Sequence, residues 1–235
     1  MAEAAAVFFD VDFTLIHPGP RFQGQGYQES CARHGVTVDP ARFEQAVRGA
    51  AAVLESADEL YDAELFISYA KRIIELMGGQ SSAMDAVARE LYTDWAEHHH
   101  FSLYDDVRDS LQTLVARGLR LGLISNSHRC LASFQSHFEL EGLITAAVSS
   151  SEHGFMKPHP AIFHAALAMM KVAPSQAVMV GDSVSHDVIG AQQVGMHAVL
   201  LVRGSGPADL SADVPVIRTL RQLAEAIDQM AVPAR

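Results

Sequence analysis

The stretch Val7-Phe8-Phe9-Asp10-Val11-Asp12-Phe13-Thr14-Leu15 decides how the chain is read. Three apolar, strand-favouring residues run into two aspartates spaced i, i+2 and then a threonine. Were the strand to continue, its two-residue period would put both carboxylates on one face. A core strand has no use for two adjacent like charges. The strand is therefore read as ending at Asp10, with the acids in the loop at its carboxyl end, the edge where open α/β sheets bind ligands. The competing reading is a turn that is merely acidic. What the later strands bring to the same edge decides between the two.

Short apolar runs recur after residue 118: Leu119-Arg120-Leu121-Gly122-Leu123-Ile124, Ala146-Ala147-Val148, Ala177-Val178-Met179-Val180 and Ala198-Val199-Leu200-Leu201-Val202. They alternate with helical patterns, which predicts a parallel sheet covered on both faces. Val214-Pro215-Val216-Ile217 fits an added edge strand, where its proline is tolerated, and a last helix runs from about Leu220 to Met230. Between the first strand and the rest, His17-Pro18-Gly19-Pro20 reads as a linker, and the chain from Arg21 to about His100 reads as helical. Gly35 and Gly78-Gly79 stop helices there, Asp39-Pro40 opens one, and Ser81 or Ser82 caps another that reaches Trp95. The economical arrangement is an α/β core interrupted by an inserted helical bundle.

Composition excludes several partners. The 235 residues carry a formal net charge of −11, which argues against a nucleic-acid backbone or an anionic membrane as partner. An anionic substrate would then need local positive charge or a metal. Two cysteines, Cys31 and Cys130, stand far apart without CxxC spacing and suggest a reducing compartment. Met1-Ala2-Glu3-Ala4-Ala5-Ala6 has no basic region and is not read as a signal peptide, and no apolar run is long enough for a membrane span. The expected address is the cytoplasm.

Each later strand delivers polar residues as it ends. Ile124 gives way to Ser125-Asn126-Ser127, and Val180 to Gly181-Asp182-Ser183 with Asp187 further on. Lys157 stands between them, ahead of Pro158-His159-Pro160. Singly, these are helix caps or a solvated loop charge; topology makes them converge with Asp10 and Asp12. Carboxylates about 4 Å apart repel by about 4 kcal/mol at an effective dielectric near 20, so Asp10, Asp12 and Asp182 in one crevice need a cation or must protonate. All-oxygen ligands with an anionic guest suit magnesium. Lys157 and the groups around Ser125 complete a pocket for a phosphoryl group, beside which an aspartate can act as a nucleophile.

Asp10-Val11-Asp12-Phe13-Thr14, Ser125-Asn126, Lys157-Pro158 and Gly181-Asp182 with Asp187 resemble the four ordered motifs of the haloacid dehalogenase-like hydrolases. The likeness is to the subgroup whose helical cap is inserted after the first motif. It implies a Rossmann-like α/β core at 1–16 and 101–235 with a helical cap domain at 17–100. It also implies Asp10 as nucleophile and Asp12 as general acid/base, with Mg²⁺ held by Asp10, Asp182 and the Asp12 carbonyl. Thr14 would orient the first loop and Ser125, Asn126 and Lys157 would hold the phosphoryl group; Asp187 would ligate the metal or orient Lys157. Similar proteins usually carry glycine where this chain has Phe13, so the loop there must take a conformation open to a bulky residue.

Within that family, true dehalogenases generally have tyrosine in the place of Asp12, because a departing halide needs no proton. An ester oxygen does. The expected activity is hydrolysis of a small phosphorylated metabolite, with phosphomutase or dehalogenase chemistry, or a non-enzymatic phospho-acceptor switch, as alternatives. Arg21, Gln23 and Tyr27 are candidates for reading the substrate's other end. The run His98-His99-His100 reads as a polar hinge in preference to a ligand set, and Gly24-Gln25-Gly26 lacks the third glycine of a dinucleotide fingerprint.

Overall fold

The computed structural model describes residues 4–55, 59–204 and 214–231. The reading of Met1–Ala6 as no signal peptide rests partly on residues outside the described ones. Two compact units emerge, one of Met1–His17 with Leu103–Arg235, the other of Pro18–Ser102.

The first unit is built on strands β1 (Ala6–Phe9), β4 (Arg120–Ser125), β5 (Ile144–Ser149), β6 (Ala177–Gly181), β7 (His197–Leu201) and β8 (Val216–Ile217). Among the described residues they form one sheet in the order β5-β4-β1-β6-β7-β8, parallel throughout. β1 is central, with Phe9 in register with Leu123 on one side and Val180 on the other. All four of its residues are buried, so helices cover both faces of the sheet, since neighbouring side chains on a strand point in opposite directions. Ala6 and Phe8 join a core with Ile162, Phe163, Ala166 and Met170 of the helix Pro160–Met170. Pro215 precedes β8, the edge strand, as its missing N–H requires.

The chain leaves this unit along β2 (Ile16–Pro18) and returns along β3 (Phe101–Leu103), short strands paired in a ribbon of two. The linker expected at His17–Pro20 is therefore partly extended strand; a two-stranded ribbon leaves enough unpaired backbone for a proline.

The second unit holds α1 (Gly24–Arg33), α2 (Phe43–Glu55), α3 (Ala63–Leu76) and α4 (Met84–Trp95). Asp39 and Asp62 cap their turns by accepting from the backbone N–H groups of Ala41 and Glu64. The apolar stripe of α3 (Ile67, Ala70, Ile73, Ile74) and that of α4 (Val87, Ala88, Leu91) are buried, which is what period-3.6 spacing requires of a bundle. The helical reading from Arg21 is met first by a 3-10 turn at Pro20–Phe22, and α1 begins only at Gly24. At Gly26 a Cβ would lie 2.2 Å from the Arg21 carbonyl oxygen, so this glycine serves a tight backbone approach inside the bundle.

Candidate active site

The site is assembled at the carboxyl ends of the central strands. Asp10 follows β1 directly, and its N–H still donates to the Val180 carbonyl at 2.9 Å. The chain then turns back on itself: Phe13 N–H donates to the Ile16 carbonyl at 2.8 Å, and Leu15 N–H to that of Val11 at 2.9 Å. This closure places Phe13 at φ 63°, in the left-handed region. The loop thus keeps a conformation suited to glycine, with an exposed aromatic residue in it, at a cost of about 1–2 kcal/mol.

A clamp holds the turn. Arg203, just past β7, donates to the Thr14 carbonyl through Nη2 at 2.7 Å and Nε at 3.2 Å. The same guanidinium pairs with Asp106 at 3.0 Å and lies 3.6 Å from the centre of the Tyr104 ring. Asp106 also accepts from Thr219 Oγ1 at 2.6 Å and from the Leu220 N–H at 2.8 Å. Burial would raise the Asp106 carboxyl, yet these partners hold it below the usual range. The Thr14 hydroxyl is buried without a hydrogen-bond partner.

Opposite Asp10 stands Lys157, buried, with its Nζ donating to Asp10 Oδ1 at 2.7 Å and Asp187 Oδ1 at 2.6 Å. Asn126 holds this lysine by its own peptide unit: Oδ1 accepts from the Lys157 N–H at 2.7 Å, and Nδ2 donates to its carbonyl at 2.8 Å. The amide expected to face a phosphoryl group is therefore engaged in placing Lys157. Ser125 is buried beside it and donates to Ser127 Oγ at 3.1 Å. Asp187 Oδ2 accepts from the Ser183 N–H at 3.0 Å. At Gly181 a Cβ would sit 2.1 Å from that same Oδ2, so glycine ahead of Asp182 makes room for the Asp187 carboxylate.

One carboxylate oxygen from each of Asp10, Asp182 and Asp187 lies within 4.8 Å of the others. Burial drives the Asp10 carboxyl well above its ordinary value; Lys157 pulls it back, and the charges of Asp187 and Asp182 push it up again. Asp182 is exposed as a residue, but protein atoms crowd its carboxyl group. Loss of water and then the Asp187 charge raise it to about 7. Lys157 is raised as well: burial alone would lower it, and Asp10 and Asp187 more than offset this. A crevice with this surplus of hard oxygen donors fits a divalent cation such as Mg²⁺. Asp12 stands apart from the trio, its Oδ1 accepting from Arg129 Nη2 at 2.9 Å.

The helical unit uses two of its three candidates internally. Arg21 pairs with Glu90 at 2.7 Å and also with Asp94 and Ser30, and Tyr27 is buried with its ring 5.0 Å from that of Phe43. Gln23 is exposed. His98–His100 forms a 3-10 turn, and His159 caps a helix by accepting from the Ala161 N–H. Arg129 lies beyond the first polar residues after β4, and Arg203 is the first polar residue after β7, a strand end that carries none of the sequence motifs. The signal for both is an arginine within a few residues of a strand's carboxyl end.

A family model described as haloacid dehalogenase-like hydrolase matches residues 4–195. "Haloacid dehalogenase-like hydrolase domain-containing protein 3" of Xenopus laevis is 30% identical over 214 residues, 85% of this chain and 86% of that protein. A phosphoserine phosphatase of Thermus thermophilus is 33% identical over 168 residues, 67% of this chain and 64% of that protein. Among solved structures, a phosphatase of the same family from Thermococcus onnurineus is 26% identical with a TM-score of 0.65, covering 94% of this chain and 96% of that one. No helix among the described residues is long and apolar enough to cross a membrane.

Proposed function

Given that the chain belongs to the haloacid dehalogenase-like hydrolases, we propose that it is a magnesium-dependent phosphatase acting on a small phosphate monoester through an aspartyl phosphate on Asp10. The observation that carries the reading is the pairing of buried Lys157 with Asp10 at 2.7 Å, with a second carboxylate, Asp12, two residues on. Asp10 attacks phosphorus, the ester P–O bond breaks, and Asp12 gives the leaving oxygen its proton. Asp12 then takes a proton from the water that attacks the same phosphorus, the bond to Asp10 breaks, and inorganic phosphate departs. Lys157, placed by Asn126 and braced by Asp187, offsets charge on the phosphoryl oxygens, with the Ser125 and Thr14 hydroxyls as further donors.

Mg²⁺ would be held by Asp10, Asp182 and the Asp12 carbonyl, and when bound it offsets the carboxylate repulsion and the charge of the phosphoryl group. Both Asp187 oxygens are already engaged, which favours a bracing role for that residue over direct ligation. An acid at residue 12 favours an oxygen leaving group over a halide. The relative named a phosphoserine phosphatase supports a small metabolite as substrate. In this reading the helical domain, 17–100, supplies discrimination among substrates, and the unpaired thiols of Cys31 and Cys130 suit a reducing compartment such as the cytoplasm.

The test is phosphate release from p-nitrophenyl phosphate and a panel of metabolite phosphates. Turnover is expected with Mg²⁺ and is expected to vanish on chelation; metal-independent release, or none from any substrate, overturns the reading.

A stability measurement probes the same site. Asp10 and Asp182 are raised in the folded state, so without metal they favour folding below about pH 4, and that contribution is lost as pH rises, for Asp182 through about 7. The metal-free protein is expected to melt at lower temperature at pH 8 than at pH 5 on this account. Added Mg²⁺ should raise the midpoint more at pH 8. Asp182→Asn should flatten both trends, and an equal Mg²⁺ shift at the two pH values would contradict the assignment.

A further inference from the structure

Among the described residues Arg129 is the largest fully buried side chain, in a loop that no part of the mechanism above uses. It reaches from the segment after β4 to the loop after β1, where its Nη2 donates to Asp12 Oδ1 at 2.9 Å. Its own backbone is anchored: the Arg129 N–H donates to Ser127 Oγ at 3.3 Å, and the Ser127 carbonyl accepts from the Ser151 N–H at 3.3 Å. Lys157 bonds Asp10 and Asp187 and not Asp12, so two buried cations hold different acids, Lys157 that pair and Arg129 Asp12. Among the described residues, Asp12 Oδ2 takes part in no hydrogen bond, which leaves that oxygen available to carry a proton.

A guanidinium taken fully out of water loses hydration that a surface residue would keep. A planar, always-charged donor gripping one carboxylate oxygen fixes the orientation of the other, which a flexible ammonium cannot do as well. We infer that Arg129 is the positioning residue for Asp12, aiming the free oxygen Oδ2 at the leaving group during transfer of the phosphoryl group to Asp10. This rests on the phosphatase reading and assigns a new residue to it.

A leaving-group comparison tests the idea. p-Nitrophenolate departs without a proton, whereas an alkoxide needs one in the transition state. The value of kcat/KM reports events up to the first irreversible step, here formation of the aspartyl phosphate, so the later use of Asp12 as a base does not enter. The full-length wild type, Arg129→Gln and Arg129→Lys are compared with Mg²⁺ on p-nitrophenyl phosphate and on the alkyl phosphate the wild type hydrolyses fastest. Arg129→Gln is expected to lose about 10²-fold or more in kcat/KM on the alkyl ester and less than about fivefold on the aryl ester. Arg129→Lys, which keeps the charge and so protects the fold, is expected to show the same selectivity with a smaller loss.

Equal losses on both esters, or none on either, in the lysine variant overturn the positioning role while leaving the phosphatase reading intact. Wild-type protein that releases phosphate from neither ester overturns both. Asp12→Asn should reproduce the selectivity, and adding Arg129→Lys to it should cost little more; a further large alkyl-selective loss in the double variant also overturns the inference.

Discussion

Asp10→Asn is expected to reduce phosphate release by about 10⁴-fold or more, in a protein that melts no earlier than the wild type. The amide is nearly isosteric with the carboxylate but is no nucleophile, so the covalent step has no starting group. The fold has reason to tolerate the change. Asp10 is one of three carboxylates whose oxygens lie within 4.8 Å of one another, and burial and its neighbours already hold it well above its ordinary range. The Asn carbonyl oxygen can still accept from Lys157, which keeps Asp187 as its counter-charge. p-Nitrophenyl phosphate hydrolysis and a thermal melt on the same preparation check both halves. Turnover within about tenfold of wild type would remove Asp10 as nucleophile.

Lys157→Met acts in the opposite sense on the fold. Here the single cation between Asp10 and Asp187 is deleted and both carboxylates stay buried. Breaking a buried pair by removing one partner typically costs about 3–5 kcal/mol, and that range is expected for denaturant unfolding at pH 8. The lysine is charged throughout the neutral range, since its raised pKa keeps its contribution present until well above pH 10.5. The pH dependence therefore comes from the acids. Without Lys157 the influence that lowers the Asp10 pKa is gone, so Asp10 takes up a proton more readily and the loss at pH 5 is expected to be smaller than at pH 8. Phosphate release should fall with it. A variant as stable as wild type at pH 8 would mean that the Lys157 contacts carry no net stabilisation.

Much of this arrangement was legible because parallel strands are apolar until they end, and then change character abruptly. Phe9 to Asp10, Ile124 to Ser125 and Val180 to Gly181-Asp182 each mark such a point, and parallel topology sends all three to one edge. Arg129 and Arg203 were illegible for a related reason. They lie a residue or more beyond the strand ends, in loops whose course is set by tertiary packing, and a lone arginine in a loop is ordinarily solvated. The left-handed turn at Phe13 was hidden because the residue type argues against it; the bonds between Val11 and Ile16 impose it. Tyr27 carries its burial in the sequence. With Ser30 and Cys31 it forms an i, i+3, i+4 set on α1, and all three are buried.

The central place of β1 has a consequence for how the chain reaches its native state. Ala6 pairs with Arg120 and Ala177, partners roughly 110 and 170 residues downstream, so the first of the sheet's strands to be synthesised waits long for both neighbours. During synthesis Ala6-Val7-Phe8-Phe9 is an apolar segment with no sheet to join. The helical unit, Pro18–Ser102, is whole before either partner strand leaves the ribosome, and its contacts are local enough to form quickly. Once folded, it stands in for some eighty residues of flexible chain and shortens the loop that β1 must close to find β4. The insertion thus aids assembly, by shortening the search of the first strand for the sheet that will enclose it.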